Sequence, residues 1–232
     1  PVIKVPPHPD SRSNHGKLDV NFVQINTNKS YQAFSDLASY LVQKDNPIAL
    51  VQEPHVNSRN AISRPSRDLA LFSKANPTRR PRACIFTHIN MRNKVWLIDS
   101  LSNEDCVVIQ STINNTKTLI VSCYMDREDT NCPPDYLPPV VNYARQNNLA
   151  LVIGTDANAH HRCWNSLIIN DKGRGDHLLD YMAKENLTWE NTGSIPTFDN
   201  GRWQNIIDLT ITNTKGHELV SNWWVHAMDK ID

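Results

Sequence analysis

Apolar positions along the chain follow two periods. Between Leu18 and Gln24, residues Val20, Phe22 and Val23 mark a mostly buried strand that runs on into Ile25 and Asn26. After it, Tyr31, Phe34, Leu37, Ala38, Leu41 and Val42 recur three and four residues apart, the apolar stripe of one helix, with Ser30 placed to cap it. Pro47 closes that region and residues 48–51 form a second buried strand, so strand, helix and strand read as a right-handed crossover unit. The middle of the chain is different. Short apolar runs at 70–72, 83–87, 95–98, 107–110 and 118–124, separated by polar breaks, predict antiparallel pairing. Residues 132–134 open a helix that reaches 147, 149–153 is another buried strand, and 176–184 is a helix with Leu178, Leu179 and Met182 on one side. Residues 206–212 and 218–225 close the chain as strands. No internal repeat or Gly/Ser linker interrupts this order, so 18–232 reads as one domain behind a polar, proline-rich flexible leader at 1–17. The implied architecture is an α/β sandwich: two sheets of mixed, mainly antiparallel strands with helices outside.

Composition narrows the function classes. With 39% hydrophobic and 21% charged residues, the 232-residue chain can bury a real core, which excludes wholesale disorder. Its 24 basic and 24 acidic residues cancel, which excludes a histone-like, charge-driven polyanion binder but not an enzyme that gathers basic residues locally. The apolar runs are far shorter than a membrane span, and the N-terminal residues carry no secretory or transit pattern. Five cysteines, at 84, 106, 123, 132 and 163, contain no C-x-x-C pair, so buried thiols in a reducing, intracellular compartment are expected rather than a zinc ribbon or disulfide framework.

The polar residues that stand out share one setting. Asn26 ends the first strand, Glu53 follows 48–51, Tyr124 ends 118–124, and Asp156 follows 149–153. Residues just past the C-terminal ends of strands line the ligand crevice of an α/β layer. Asp208 stands near the start of 206–212 and would lie at the same edge if that strand runs antiparallel to its neighbours. Any one of these could be a loop residue or a cap; together, three carboxylates among five favour a metal-assisted site. Glu53 with the Asn26 amide supplies oxygen ligands of the kind that hold Mg²⁺. Asp156 could deprotonate a water for attack on phosphorus, while Asn158 and Tyr124 could donate hydrogen bonds to phosphoryl oxygens. Asn158 could equally form an Asx turn.

These residues lie in runs that resemble a known family. Val23-Gln24-Ile25-Asn26-Thr27-Asn28, Leu50-Val51-Gln52-Glu53-Pro54, Val121-Ser122-Cys123-Tyr124, Gly154-Thr155-Asp156-Ala157-Asn158-Ala159-His160-His161 and Ile206-Ile207-Asp208-Leu209-Thr210 resemble the exonuclease–endonuclease–phosphatase superfamily, in family order. The Q-E-P run, D-A-N-A-H-H-x-x-W and the later P-T-F look most like the endonuclease of non-LTR (LINE-type) retrotransposons. The resemblance implies a DNase I-like fold and an Mg²⁺-dependent endonuclease, Mn²⁺ substituting, that nicks double-stranded chromosomal DNA in the nucleus. The 3′-hydroxyl it leaves would prime a reverse transcriptase carried on the same polyprotein. It also implies roles: Asn26 and Glu53 at the metal, Tyr124 at the scissile phosphate, Asp156 activating water, Asn158 stabilising the transition state, and Asp208 orienting a catalytic His.

That His is the main departure. The family closes on S-D-H and one more strand, whereas this sequence ends at Ile231-Asp232, so truncation inside the last motif is expected; His226 nearby reads as structural. Asn205 stands where related endonucleases carry Ser. Arg79, Arg80 and Arg82 form a basic cluster able to contact DNA backbone or simply to face solvent, and Arg162, Lys172 and Arg174 lie nearer the expected phosphate, with Gly173 and Gly175 leaving that loop free to move. Asn28, Thr197 and Asn205 complete the candidate DNA contacts, and Phe198 and Trp203 flank them as core or surface aromatics. His160, His161 and Cys163 lack the spacing of a zinc site. An apurinic repair endonuclease, a small-molecule phosphoesterase, or a DNA-binding module that has lost catalysis remain as alternatives.

Overall fold

The computed structural model describes residues 2–5, 20–76, 78–166 and 172–226, the first four by their backbone. The strands are β1 (Val2–Val5), β2 (Asn21–Asn26), β3 (Pro47–Gln52), β4 (Leu69–Phe72), β5 (Ala83–His88), β6 (Val95–Leu97), β7 (Cys106–Ile113), β8 (Thr116–Tyr124), β9 (Ala150–Asp156), β10 (Leu187–Trp189), β11 (Phe198–Asp199), β12 (Gln204–Asn205), β13 (Asp208–Asn213) and β14 (Trp224–His226). The helices are α1 (Tyr31–Leu41), α2 (Leu137–Gln146), α3 (Arg174–Lys184) and the single turn α4 (Thr214–His217). One sheet runs β14-β1-β2-β3-β5-β4 and the other β10-β13-β9-β8-β7-β6. Within each sheet one neighbouring pair is parallel, β2 with β3 and β8 with β9, and the other pairs are antiparallel. This is the two-sheet α/β sandwich that the hydrophobic pattern predicts.

The parallel pairs explain the layout. A parallel pair cannot be joined by a hairpin, so α1 crosses over between β2 and β3, and α2 between β8 and β9. β3 and β9 are buried along their whole length, as strands covered on both faces must be. Phe34, Leu37, Ala38 and Leu41 bury the α1 stripe against Val23, Val51 and Phe86 of the first sheet. Val140, Ala144, Leu178 and Met182 of α2 and α3 pack on Val121, Leu151 and Ile153 of the second. Between the sheets lie Phe22, Ile48, Leu50, Ile85, Val107, Ile109, Ile120 and Val152. Helix, sheet, sheet and helix thus stack as four layers.

Buried glutamines carry polar ties across the inter-sheet layer. Gln24 Nε2 donates to the Thr155 carbonyl at 2.9 Å, and Gln24 Oε1 accepts from the Thr210 hydroxyl at 3.2 Å. Gln52 Nε2 donates to Ser122 Oγ and to the Gly154 carbonyl, both at 3.0 Å, while Ser122 Oγ donates back to the Val51 carbonyl at 3.0 Å. Gln52 Oε1 is buried without a partner among the described residues, so the gain from this tie is modest and its effect is to fix where one sheet lies on the other. At Gly154 the sheets come too close for a side chain, since an added Cβ would meet Leu50 Cδ1 at 2.6 Å and Gln24 Oε1 at 3.0 Å.

Several elements depart from the hydrophobic pattern. Val2–Val5 form β1 between β2 and β14, whereas the sequence reading takes 1–17 as a leader; residues 6–19 lie outside the described ones. α2 begins at Leu137, not at 132–134, because proline is tolerated only in a helix's first turn, and Pro138 and Pro139 occupy that turn. Of the strand expected over 218–225 only Trp224–His226 forms, because Asn222 adopts a left-handed backbone (φ 55°) that breaks an extended run. Ser30 caps α1 as expected, accepting from Ala33 N at 3.2 Å. Four of the five cysteines are buried thiols and Cys163 is exposed. Among the described residues no helix is long and apolar enough to cross a membrane.

Two outcomes test these contacts. Gln52→Leu removes the buried hydrogen bonds from Gln52 Nε2 to Ser122 Oγ and to the Gly154 carbonyl, so chemical denaturation should show a loss of about 1–3 kcal/mol. Glu190, hydrogen-bonded to His217 Nδ1 at 3.0 Å, raises the exposed imidazole above its ordinary range. A raised histidine stabilises the fold fully below its unfolded value and loses that contribution as pH rises through the folded one. His217→Gln should therefore destabilise more at about pH 5 than at about pH 9, by a small, salt-sensitive margin.

Candidate active site

Strand register delivers the expected residues to one edge. In the second sheet Tyr124 pairs with Asp156 across the parallel β8–β9 ladder, and Asp156 pairs with Asp208 across the antiparallel β9–β13 ladder. In the first sheet Asn26 pairs with Gln52, one residue before Glu53. The C-terminal ends of four parallel-paired strands and the start of β13 therefore meet where the sheets face each other.

Asn26 joins the two halves. Its Nδ2 donates to Asp156 Oδ2 at 2.7 Å and to Glu53 Oε2 at 3.2 Å, while its Oδ1 accepts from Asn28 N at 2.7 Å. Glu53 has a left-handed backbone (φ 45°), held because its N–H donates to the Arg82 carbonyl at 2.8 Å and its carbonyl accepts from Lys29 N and Thr27 Oγ1, each at 2.8 Å. The Lys29 ammonium sits on the remaining carboxylate oxygen, Glu53 Oε1, at 2.8 Å. Asn158 is also left-handed (φ 44°); its N–H donates to Asp156 Oδ1 at 3.2 Å and its amide to the Met125 carbonyl at 3.0 Å. The Asx turn here is headed by Asp156, whereas the Asn158 side chain reaches across to the Met125 carbonyl.

Burial and like charge set the electrostatics. Asp156 is 3% exposed; burial first, then the charge of Asp208, push its carboxyl well above the usual range, against the Asn26 and Asn158 hydrogen bonds. Burial raises Asp208 to about 6, with the Thr197 hydroxyl opposing, and Asp208 Oδ1 has no hydrogen-bond partner among the described residues. Tyr124 is pushed up to about 12 by burial and by the charges of Glu53, Asp156 and Asp126, so its phenol stays a donor. Among the described residues no three His, Cys, Asp or Glu enclose a metal. The donors present, one strand-end carboxylate and an amide beside two buried carboxyls, suit a hydrated hard cation rather than a closed cage.

The outer candidates separate into surface and support. Arg80 and Arg162 are exposed, and Arg79 is exposed but pairs with Glu104 at 2.7 Å. Asn28 is exposed beside Asn26. Arg162 and Asn205 line a hollow of about 320 Å³ with Asn165, Ser166 and Pro196. Thr197 and Asn205 are buried: the Thr197 hydroxyl accepts from Ile207 N at 3.1 Å and Asp208 N at 3.0 Å, and Asn205 Oδ1 accepts from Ser166 Oγ. Arg174 is a correction, since it is 6% exposed and its guanidinium donates to the Asn158 carbonyl at 3.2 Å and to the Asp129 carbonyl. It braces the loop from behind instead of facing outward. Gly175 is a second correction: a Cβ there would meet the His160 carbonyl at 1.9 Å, so the glycine serves close packing, not mobility. His160 meets Ser166 Oγ at 3.0 Å and His161 meets Asp176 at 3.3 Å, roles in loop packing. Phe198 and Trp203 stand exposed on the β11–β12 hairpin, Trp203 at 63%. His226 lies in β14 with its ring 6.4 Å from that of Tyr40, and the closing-motif residues 227–232 lie outside the described ones.

Sequence reasoning passed over the groups behind the site. Gln24 and Gln52 could have been noticed as polar residues facing inward in otherwise apolar runs. Asp105 and Asp126, which clamp Arg82 against Tyr124, carry no local signal, because their partner Arg82 is 23 and 44 residues away in pairings made only by the fold.

Comparisons with known proteins agree with this geometry. Residues 118–230 match the family described as endonuclease–reverse transcriptase. The endonuclease domain of TRAS1, a telomere-specific non-LTR retrotransposon, superposes with a TM-score of 0.71 at 22% identity, covering 90% of this chain and 99% of that one. A 3′ phosphatase from Neisseria, solved with a product DNA hairpin, gives 0.53 at 14% identity over 83% and 86%. An AP endonuclease from Archaeoglobus fulgidus gives 0.50 at 12% identity over 83% and 86%. No curated protein matches the chain in sequence. Residues 118–230 thus match the model of the endonuclease–reverse transcriptase family, and the chain shares the DNase I-like two-sheet fold of these solved structures.

Proposed function

We propose that the chain is a divalent-metal-dependent DNA endonuclease that hydrolyses one phosphodiester bond of a duplex and leaves a 3′-hydroxyl from which a reverse transcriptase copies. The observation that carries this reading is the Asn26 amide bridging Glu53 of one sheet and Asp156 of the other, which gathers acid and amide at the strand edge that also carries Tyr124. Mg²⁺ is the cation proposed, with Mn²⁺ able to substitute. The residues fit it: Glu53 already presents one oxygen to a cation, the Lys29 ammonium, and two further carboxyls are buried close by without matching positive charge. Glu53 and Asn26 would hold the metal, which when bound supplies neutralisation of charge building on the phosphoryl oxygens.

The chain's own groups account for the rest. Asp156, aligned by Asn26 and by the Asn158 N–H, accepts the proton of the attacking water. Tyr124, kept protonated, and the Asn158 amide donate to phosphoryl oxygens as the 3′-oxygen departs. Asp208, adjacent across the ladder, keeps a second carboxyl at hand to orient a basic group. Arg80, Arg162 and Asn28 are placed to contact backbone phosphates, and the net charge of zero limits general DNA affinity to such local contacts. The proposed setting is nuclear DNA, acted on by a domain of a larger polyprotein that includes a reverse transcriptase.

Supercoiled plasmid incubated with the protein and Mg²⁺ should convert to open circles, and Asp156→Ala should slow that conversion by about 10²–10⁴-fold. Equal rates for the two proteins would remove Asp156 from the mechanism. An intact duplex should be nicked without an abasic site; strict dependence on the lesion would instead identify a repair enzyme. Glu53→Gln should raise the Mg²⁺ concentration for half-maximal nicking, by about tenfold or more.

A further inference from the structure

Arg82 belongs by sequence to the basic cluster with Arg79 and Arg80, but the fold uses it differently. Its guanidinium forms a two-pronged pair with Asp105, Nε to Oδ1 at 2.5 Å and Nη2 to Oδ2 at 2.6 Å, and Nη1 bonds Asp126. Its side chain is 21% exposed, against 60% for Arg79. The fork is therefore occupied by two carboxylates, which leaves little of it to neutralise a DNA phosphate. The flat guanidinium lies 4.7 Å from the centre of the Tyr124 ring, where a cation is attracted to the aromatic face. Asp105 also fixes the Tyr124 backbone, its carbonyl accepting Tyr124 N at 2.8 Å, and the Tyr136 hydroxyl holds the Tyr124 carbonyl. On its other side Arg82 reaches the first sheet through its main chain. Its carbonyl accepts Glu53 N at 2.8 Å, and its own N–H donates to the Glu104 carbonyl at 2.7 Å.

We infer that Arg82 is a positioning residue for phosphodiester cleavage: clamped by Asp105 and Asp126, it holds the Tyr124 ring so that the phenol stands beside Glu53 and Asp156. A phenol on a free χ2 hinge would sample positions away from the phosphate, and each lost degree of alignment weakens a hydrogen bond made in the transition state. The clamp removes that freedom before substrate arrives. An arginine is needed for this, because only a planar fork can meet a carboxylate with two parallel bonds and still lie flat on a ring; lysine keeps the charge but not the plane. Arg82 touches neither phosphate nor metal in this scheme and acts entirely through Tyr124.

The inference rests on the nicking function proposed above, so its test has a kinetic arm and a spectroscopic one. In plasmid nicking, Arg82→Met should lower kcat by about ten- to a hundredfold with the KM for DNA little changed, and Arg82→Lys should fall between. The double variant Arg82→Met/Tyr124→Phe should nick no more slowly than Tyr124→Phe alone, since both substitutions remove one action. Multiplicative losses in the double variant, or a loss confined to KM and steepened by salt, would overturn the inference in favour of general support or a DNA-backbone contact. Asp126→Asn, which loosens the clamp but leaves the Asp105 pair, should reproduce a weaker form of the same pattern and serves if Arg82→Met does not fold. Independently of activity, aromatic NMR should show shifted Tyr124 ring resonances and faster ring flipping in Arg82→Met and Asp126→Asn. Unchanged ring resonances would refute the positioning role. Absence of nicking by the parent would refute the proposed function, with the ring resonances still deciding the place of Arg82.

Discussion

The registration of one sheet on the other is the constraint from which the site follows. Asn26 and Glu53 belong to one sheet and Tyr124, Asp156 and Asp208 to the other, so a slip between sheets would pull the amide from one of its two carboxylates. Apolar packing between the sheets is strong but has little directional content. The buried Gln24 and Gln52 side chains add the direction, each ending on the backbone at or beside Gly154 and Thr155, two residues and one residue short of Asp156. Gly154 lets the backbones approach closely enough for those side chains to reach. The polar ties lie directly beneath the groups they align, which is where angular error would matter most.

Above that floor, charge is arranged unevenly. The candidate centre concentrates carboxyls without matching cations, leaving buried acids that a divalent ion would relieve. Around it the balance reverses: Arg82 is held by Asp105 and Asp126, Arg79 by Glu104, and Arg174 by backbone carbonyls at Nε and Nη1. The arginines closest to the centre thus act as internal braces, and the exposed Arg80 and Arg162 are left to meet an external polyanion. On the proposed function, a neutral protein would in this way present an anionic centre to a metal and exposed arginines to DNA.

Much of this was legible in the sequence, and for identifiable reasons. β2, α1 and β3 declare themselves because a short apolar run, a 3.6-residue period and a second short apolar run follow one another with a Ser cap and a proline stop. Asn26, Glu53, Tyr124 and Asp156 could be placed on one edge because each directly follows an apolar run, and Asp208 joined them once β13 proved antiparallel to β9. What stayed hidden depended on contacts between distant segments. Nothing local separates Arg82 from Arg80 or Arg174 from Arg162; only the approach of Asp105, Asp126 and the Asn158 carbonyl turns two of these four inward. The 218–225 run failed for a related reason, since its apolar residues serve the inter-sheet core through Trp223 and Val225 while Asn222 bends the backbone just before them.

The backbone at Glu53 and Asn158 carries one more consequence. Both are non-glycine residues held at positive φ, a conformation that costs folding free energy and that glycine would adopt more readily. Among the non-glycine residues held at positive φ are thus two whose side chains the proposed chemistry would need. On the proposed function, a glycine at either position would ease the backbone and keep the fold while giving up the side chain that the work requires.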